Sequence, residues 1–407
     1  MFINFTVGNF RSFNDKAVFS MEKHGQTKEL PENSFRSPAL PPRMSLLKSA
    51  VIYGANASGK SNLIQALTVM QSVVLHSGVG DREVALLLEP FALSEKTLGK
   101  PVFFELEMIA SGRRFRYGFE CTRDAIVSEW LYAQKQRMTL MFARENNDFV
   151  DSSPEFAELK AWGKVLSDTK LNLPKNALFL STAARMFAGG ACEAVQNWFE
   201  RTLRIVSAHT YQQYLGTTFA AMKNSELADR ISRLISKADL GIQKVEAGEA
   251  ETSGGRNGLS RIGTTHVIAD KTYHFDMFHH ESSGTQKIFA LSASLLDVLK
   301  NGKVLFMDEL DASLHPLLVS QLIEMFHSNN PANAQMIATT HSPSILTETT
   351  LRHDQVWFVG KDSESSSNLA SLADFTGIRG NFTRITKDYL HGCFGGIPYI
   401  KNLSVEG

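Results

Sequence analysis

Neither sign of charge dominates this chain: 42 basic and 42 acidic side chains balance over 407 residues. Such a chain has no global field to draw in nucleic acid or an anionic membrane, so a contact of that kind would need a local patch. Cysteine is scarce too. Cys121, Cys192 and Cys393 are the only three. They stand far apart and without metal-ligand spacing, which speaks against a metal site or a disulfide framework and for buried, reduced thiols in a cytosolic protein. No apolar run approaches the ~18–20 residues of a membrane span. The opening Met1–Val7 lacks the basic start and apolar core of a secretory signal. Repeats, low-complexity runs and sustained heptads are missing as well. A cytoplasmic protein of ordinary globular composition is expected, long enough for two or three domains or for one with a large insertion.

Against these absences one segment stands out. Val51–Ser61 reads Val-Ile-Tyr-Gly-Ala-Asn-Ala-Ser-Gly-Lys-Ser, and Gly54, Gly59, Lys60 and Ser61 meet the phosphate-loop spacing G-x-x-x-x-G-K-[ST]. An apolar strand pattern precedes it and a helical pattern follows, with Leu63, Ile64, Leu67 and Met70 on one face. The spacing predicts that backbone N–H groups from Asn56, Ala57, Ser58, Gly59 and Lys60 surround a β-phosphate, with Asn62 just beyond in the helix. Lys60 would reach the β- and γ-oxygens, and the Ser61 hydroxyl would ligate Mg²⁺. A triphosphate is the expected ligand.

The remainder of the chain supplies partners for that loop. Phe2–Phe19 reads as a strand pair, and Gln26–Pro42 as a loop. Val102–Ile109 and Arg114–Glu120 form a hairpin around Ser111-Gly112. Strands follow at Ile126–Ala133 and Thr139–Ala143, with a turn at Glu145–Asp148. Helical periodicity runs from Ser153 to Ala238, including Glu193–Thr202 and Glu226–Ile235. Ala247–Gly258 reads as a Gly- and Ser-rich boundary, and Thr264–Asp276 alternates like a strand. Then come a helix at Ser283–Lys300, a strand at Val304–Met307, a helix at Pro316–Ser328 and a strand at Gln335–Thr339. Alternating strands and helices predict an α/β fold: a parallel-sheet P-loop core with an antiparallel β subdomain and an inserted helical subdomain. The expected division is 1–150 and 256–407 for the two parts of the core, with a mainly helical insertion at 151–255.

The strand Val304–Met307 ends in Asp308-Glu309, and a parallel strand's C-terminal edge places such carboxylates beside the phosphate loop. Asp308 is the expected Mg²⁺ partner, and Glu309 the base that orients and deprotonates the attacking water. Asp311-Ala-Ser-Leu-His315-Pro316 follows, and Ala338-Thr-Thr-His341-Ser-Pro343 closes the next strand. Glu281-Ser-Ser-Gly-Thr-Gln286 opens an amphipathic helix, whose start offers free N–H groups to a γ-phosphate.

This order of motifs resembles that of ABC-type ATPases, and more narrowly the RecF/SMC/OLD branch. Asn9-Phe-Arg-Ser-Phe13, Gly59-Lys-Ser-Asn-Leu63 and Asp311-x-Ser-Leu-His-Pro316 are similar to that branch's motifs. Glu281–Gln286 and the tail Tyr389-Leu-x-Gly-x-Phe394-Gly-Gly-Ile-Pro398 resemble the stand-alone OLD-like (RloA-type) ATPases of abortive infection and phage defence. The resemblance implies that Ser283, Gly284, Thr285 and Gln286 form a signature motif contacting the γ-phosphate held by another copy. It makes Asp311 the D-loop residue at that junction and His341 the γ-phosphate switch, and places Phe10 and Arg11 near the adenine and phosphates. Thr285 stands where the wider family has a second glycine, and no glutamine linking nucleotide to partner domain is identifiable, although Glu105 lies in a plausible region.

Catalysis is thus assigned to Glu309, Lys60 and His341, with ATP and Mg²⁺ as the ligands and a homodimer or higher oligomer sharing its ATP sites. The favoured function is a regulatory ATPase acting on a separate effector, a nuclease or toxin, in anti-phage defence. The alternatives are a RecF/SMC-like ATPase acting on DNA and a transporter motor. Roughly 220 residues separate Ser61 from Glu281, too few and too irregular for long coiled-coil arms. The large insertion and unusual C-terminus argue against a transporter. OLD nucleases carry a further acidic metal-binding domain, and with only about 65 residues after His341 a nuclease activity within this chain is left unsupported. Lys361–Asn368, with Asp362 and Glu364, reads as a solvated loop. Thr376–Pro398, with Arg379, Arg384 and Lys387, fits aromatic packing of a terminal subdomain better than nucleic-acid contact. His274, His279 and His280 lack the further ligands of a metal site.

Overall fold

Six strands form the central sheet, in the order Leu203–Val206, Val304–Met307, Gln335–Thr339, Ser49–Gly54, Val356–Lys361 and Ser367–Ser371. The first five run parallel and the last turns back antiparallel. These relations come from a computed structural model that describes residues 1–25, 30–77, 87–134, 136–154, 156–169, 173–207, 210–239, 241–248, 261–346, 350–375 and 382–395. Parallel strands buried on both faces favour apolar side chains on both, and Val304–Met307 has one at every position. Val304 and Phe306 join one core with Ile52 and Ile337, while Leu305 and Met307 join another with Val51, Tyr53 and Ala338.

The first core is closed by the helix Lys60–His76 and by a seven-stranded antiparallel sheet. That sheet contains Phe2–Gly8, Ala17–Ser20, Val102–Ala110, Arg113–Cys121, Ile126–Gln134, Met138–Glu145 and Asp148–Ser152. The second core is closed by the helices Ser283–Asn301 and Pro316–Ser328 and by the short C-terminal helix Phe382–Leu390. Gln335 joins the two sheets: its Oε1 accepts from Phe2 N at 2.6 Å and its Nε2 donates to Phe2 O at 3.0 Å. A three-stranded sheet, Ile242–Gly248, Arg261–Ile268 and Lys271–Asp276, leads into the helix Ser283–Asn301. The result is an α/β ABC-type P-loop fold.

Two segments differ from the sequence reading. Leu203–Val206 lies within the stretch read as helical, yet pairs with Val304–Met307 as an edge strand of the central sheet. Its four residues continue the pattern of the helix Ala191–Asn197 and the π-turn Trp198–Thr202, so periodicity conceals the change that pairing enforces. Asp148–Ser152 is a strand pairing with Met138–Glu145 beyond the expected turn. Lys361–Asn368 closes the hairpin between Val356–Lys361 and Ser367–Ser371, with Asp362 and Glu364 exposed as the solvated reading expects and Ser366 and Ser367 buried at 2% and 3% exposure. Of the thiols expected to be buried, Cys121 and Cys192 are and Cys393 is exposed. Most of the Ala247–Gly258 boundary, residues 376–381, and the end of the tail motif at Ile397–Pro398 lie outside the described residues. Among the described residues, no helix is long and apolar enough to cross a membrane.

Candidate nucleotide site

The strand Ser49–Gly54 delivers its loop to the 17-residue helix Lys60–His76, which begins at Gly59 with φ of +115°. That conformation suits glycine, and a Cβ there would strike the hydroxyls of Ser367 and Ser12. A Cβ on Gly54 would likewise meet Ser58 Oγ and the carbonyl of Val359. The helix has no side-chain cap and no acidic residue in its first turn. Its N–H groups and positive dipole end are therefore open to an anion. Ser58 Oγ is buried without a partner, and Ala57 adopts a left-handed φ of +62°. Lys60, 5% exposed, donates to the carbonyls of Gly54 at 2.8 Å and Ala55 at 3.0 Å. Burial lowers its pKa, against the opposing pull of Asp308, Glu309 and Asp311. A buried ammonium resting on loop carbonyls beside an uncapped helix end is a cradle suited to phosphate.

Asp308 and Glu309 leave the end of Val304–Met307, two strands from Ser49–Gly54, and are fixed by Thr339 on the strand between them. Thr339 Oγ1 donates to Asp308 Oδ1 at 2.6 Å and accepts from Glu309 N at 2.8 Å. Glu309 and Ser313 both have left-handed φ, +50° and +62°, the kind of local strain that a surrounding framework must enforce. Asp311 Oδ2 accepts from His341 N at 3.1 Å, tying together the ends of adjacent strands, and His341 itself is exposed. Ser61, also exposed, and Asp308 offer hard oxygen donors of the type Mg²⁺ takes.

Sequence reasoning missed Lys287. Its ammonium, 3% exposed, donates to the carbonyls of Ala312 at 2.8 Å, Glu309 at 3.2 Å and Leu310 at 3.4 Å. Burial lowers its pKa, while Asp311 and Glu309 pull the other way. It stands one turn after Ser283 and joins that helix to the carboxylate loop. A lysine inside an otherwise apolar stripe was the available signal.

The helix Ser283–Asn301 is capped by Ser282, whose Oγ accepts from Thr285 N at 3.1 Å. Thr285 Oγ1 donates to Asp239 at 2.9 Å, and Gln286 Nε2 turns back to Glu281 O at 3.0 Å. A Cβ on Gly284 would collide with the carbonyl of Ser313, so only glycine lets this helix approach the Asp311 loop so closely. Ser282 and Ser283 are exposed, and a cavity of about 270 Å³ opens beside Asp239, Ser282, Gly284, Ser313 and His315. Among the described residues, no hydrogen bond joins Glu281–Gln286 to the phosphate loop.

The Asn9–Phe13 motif clasps the loop through an unforeseen residue. Asn62 Nδ2 donates to Ser12 Oγ at 2.8 Å, Ser367 N donates to Ser12 O at 2.7 Å, and Ser367 Oγ donates to Ser58 O at 2.5 Å. Phe10 is wholly buried against Phe104, with its ring centroid 5.8 Å away. Arg11 pairs with Glu89 at 3.1 Å. Glu105 sits in the antiparallel sheet and accepts from Trp130 Nε1 at 2.7 Å. His279 pairs with Asp276 at 2.8 Å, and no group of metal ligands forms among the described residues.

Phosphate loop, strand-end carboxylates and a glycine-bearing helix start packed on the acidic loop meet at one end of the parallel sheet, the arrangement of a P-loop nucleotide-binding fold. Residues 49–347, more than half of the chain, match the family described as "AAA domain, putative AbiEii toxin, Type IV TA system". The chain belongs to that family. Similar solved structures include an SMC head domain from Thermotoga maritima, at 15% identity and TM-score 0.42 over 91% of this chain and 98% of that one. Others are an SMC head bound to the C-terminal winged-helix domain of ScpA, at 14% and 0.48 over 91% and 97%, and an SMC head with an extended coiled coil bound to the C-terminal domain of ScpA, from Pyrococcus furiosus, at 12% and 0.43 over 96% and 98%. No curated protein matches the chain.

Proposed function

We propose that this chain binds and hydrolyses ATP, that copies assemble around shared nucleotides, and that the assembly regulates a separate effector in anti-phage defence. The family description, with its AbiEii toxin and toxin–antitoxin system, supports the defence role, as does the resemblance to OLD-like ATPases. The observation that carries the shared site is the exposed start of the helix Ser283–Asn301. It leaves Ser282 and Ser283 exposed and has no hydrogen bond to its own phosphate loop among the described residues.

Lys60 would leave the Gly54 and Ala55 carbonyls for the β- and γ-phosphate oxygens. Ser61 and Asp308 would hold Mg²⁺, which neutralises phosphate charge when bound. Glu309 takes a proton from the attacking water as its oxygen bonds to the γ-phosphorus. The bond to the bridging oxygen breaks, giving ADP and phosphate, and His341 supports the γ-phosphate oxygens. Closure by Ser283 and Gly284 from a second copy makes assembly depend on nucleotide.

Glu309→Gln is expected to keep ATP affinity while losing about 10²–10³-fold in turnover and accumulating a long-lived assembled species on size-exclusion chromatography. Wild-type hydrolysis by this variant would remove Glu309 from the role of base. Recovery of DNA rather than a nuclease or toxin with the trapped assembly would favour a RecF/SMC-like function.

A further inference from the structure

Two polar atoms at the carboxylate edge are buried without a partner: the Tyr53 hydroxyl and Asp311 Oδ1. The sheet register brings them to one place. Ile52 pairs with Thr339, and Thr340 N donates to Ile52 O at 3.1 Å, so Tyr53 lies alongside Thr340. His341, the next residue, donates its N–H to the other oxygen of Asp311. Tyr53 points into the core that also holds Met307, Leu310 and Leu314 from the carboxylate strand and its loop. A phenol O–H donates and a carboxylate oxygen accepts, so the two orphans are complementary. Burial and the Asp311 charge both raise the Tyr53 pKa, keeping the phenol protonated as a donor.

The C-terminal helix supplies the wall behind this pair. The Tyr389 ring lies 5.5 Å from that of Tyr53 and stacks on Phe358 at 5.5 Å, and Phe358 stacks on Phe394 at 4.7 Å. Phenylalanine would fill the space of Tyr53 without burying an unsatisfied hydroxyl, so packing alone does not account for the tyrosine.

We propose that Tyr53 is a positioning residue: when nucleotide orders the catalytic loop, its hydroxyl takes Asp311 Oδ1 and fixes the corner where Asp311 meets His341. The C-terminal helix thereby becomes part of the control of turnover. This rests on the ATPase reading above.

The test compares wild type, Tyr53→Phe, Asp311→Asn and the double variant in steady-state ATP hydrolysis, with binding of a fluorescent ATP analogue and thermal melting. Tyr53→Phe should lower kcat at least about tenfold, leave KM and analogue affinity within about twofold, and melt no lower than wild type. The double variant should be no slower than the slower single one, because both remove the same contact. An unchanged kcat in Tyr53→Phe overturns the proposal. So does a fall in kcat accompanied by lost affinity and a lower melting temperature, which would mark a packing role. A wild-type protein that binds but never hydrolyses ATP overturns the ATPase reading and this proposal with it.

Discussion

Both sides of the central sheet bury charge, but they finish it differently. In the antiparallel shoulder, Glu129 and Arg144 have no exposed side-chain surface and meet at 2.7 Å. Glu129 also accepts from the Tyr117 hydroxyl at 2.9 Å and from Phe179 N and Leu180 N at 2.8 and 3.0 Å, at the start of the helix Phe179–Met186. Arg144 donates onward to the carbonyls of Ala177, at 2.7 Å, and Asn146. At the phosphate-loop edge, by contrast, Ser58 Oγ, Tyr53 Oη and Asp311 Oδ1 are left without partners, and Lys60 rests on loop carbonyls. Ala57, Glu309 and Ser313 there hold left-handed conformations. A saturated network serves architecture, because nothing further can bind it without breaking it. An unsaturated, strained one at a sheet edge is arranged for something that arrives later.

The strongest way to break this contrast is to open the saturated side. Arg144→Met should cost about 3–5 kcal/mol of stability, since the Glu129 carboxylate stays buried without its counter-charge. Chemical denaturation would measure the loss. A change below about 1 kcal/mol would mean that the network does not carry the shoulder.

A smaller effect comes from a second saturated network, at the opposite end of the phosphate-loop strand. His327 Nε2 lies 2.8 Å from Ser49 Oγ, Gln355 Nε2 donates to Ser49 Oγ at 2.8 Å, and Asn33 donates to Gln355 at 2.7 Å. Burial, helped by Lys48, lowers the His327 pKa from 6.5 to about 4. The folded state thus favours the neutral ring, and the unfolded chain takes up the proton first. The contribution is fully present above about pH 6.5 and is lost as the pH falls toward 4, up to about 3 kcal/mol in all. Denaturation midpoints measured across that window should show the slope, and His327→Asn should flatten it. An identical slope in the variant would assign the pH dependence to other groups.

How much of each region can be read from sequence follows the same division. The phosphate loop, Asp308-Glu309 and the helix Ser283–Asn301 are legible because each is a local pattern: spacing, an apolar run ending in carboxylates, a 3.6-residue period. Val304–Met307, Gln335–Thr339 and Pro316–Ser328 fall at their expected bounds for that reason. What holds those pieces together is non-local and hidden. Ser12 and Ser367 clasp the loop from opposite ends of the chain, and Thr339 fixes Asp308 across 31 positions. The edge strand Leu203–Val206 is defined by its neighbour, not by its four residues. Phe10 is the motif's buried anchor, and Ser12 is its contact with the loop.

Lys287 belongs to neither side of the comparison, which makes it the sharpest small test. It is buried like Arg144, yet it donates to carbonyls of the strained loop that carries Glu309, and it rides on the helix whose start faces outward. If assembly shifts that helix, the same ammonium would shift the loop. Lys287→Met keeps most of the stem's packing and removes the three donations. Nucleotide affinity should stay within about twofold, since the cradle at Gly54–Ser61 is untouched, while kcat falls about tenfold, equivalent to about 1.4 kcal/mol of transition-state stabilisation. Lys287→Arg should recover part of that loss, because a guanidinium can still donate to the loop carbonyls. Equal turnover in Lys287→Met and wild type would place the lysine with Arg144, as architecture, and would break the link between the outward-facing helix and the Glu309 carboxylate.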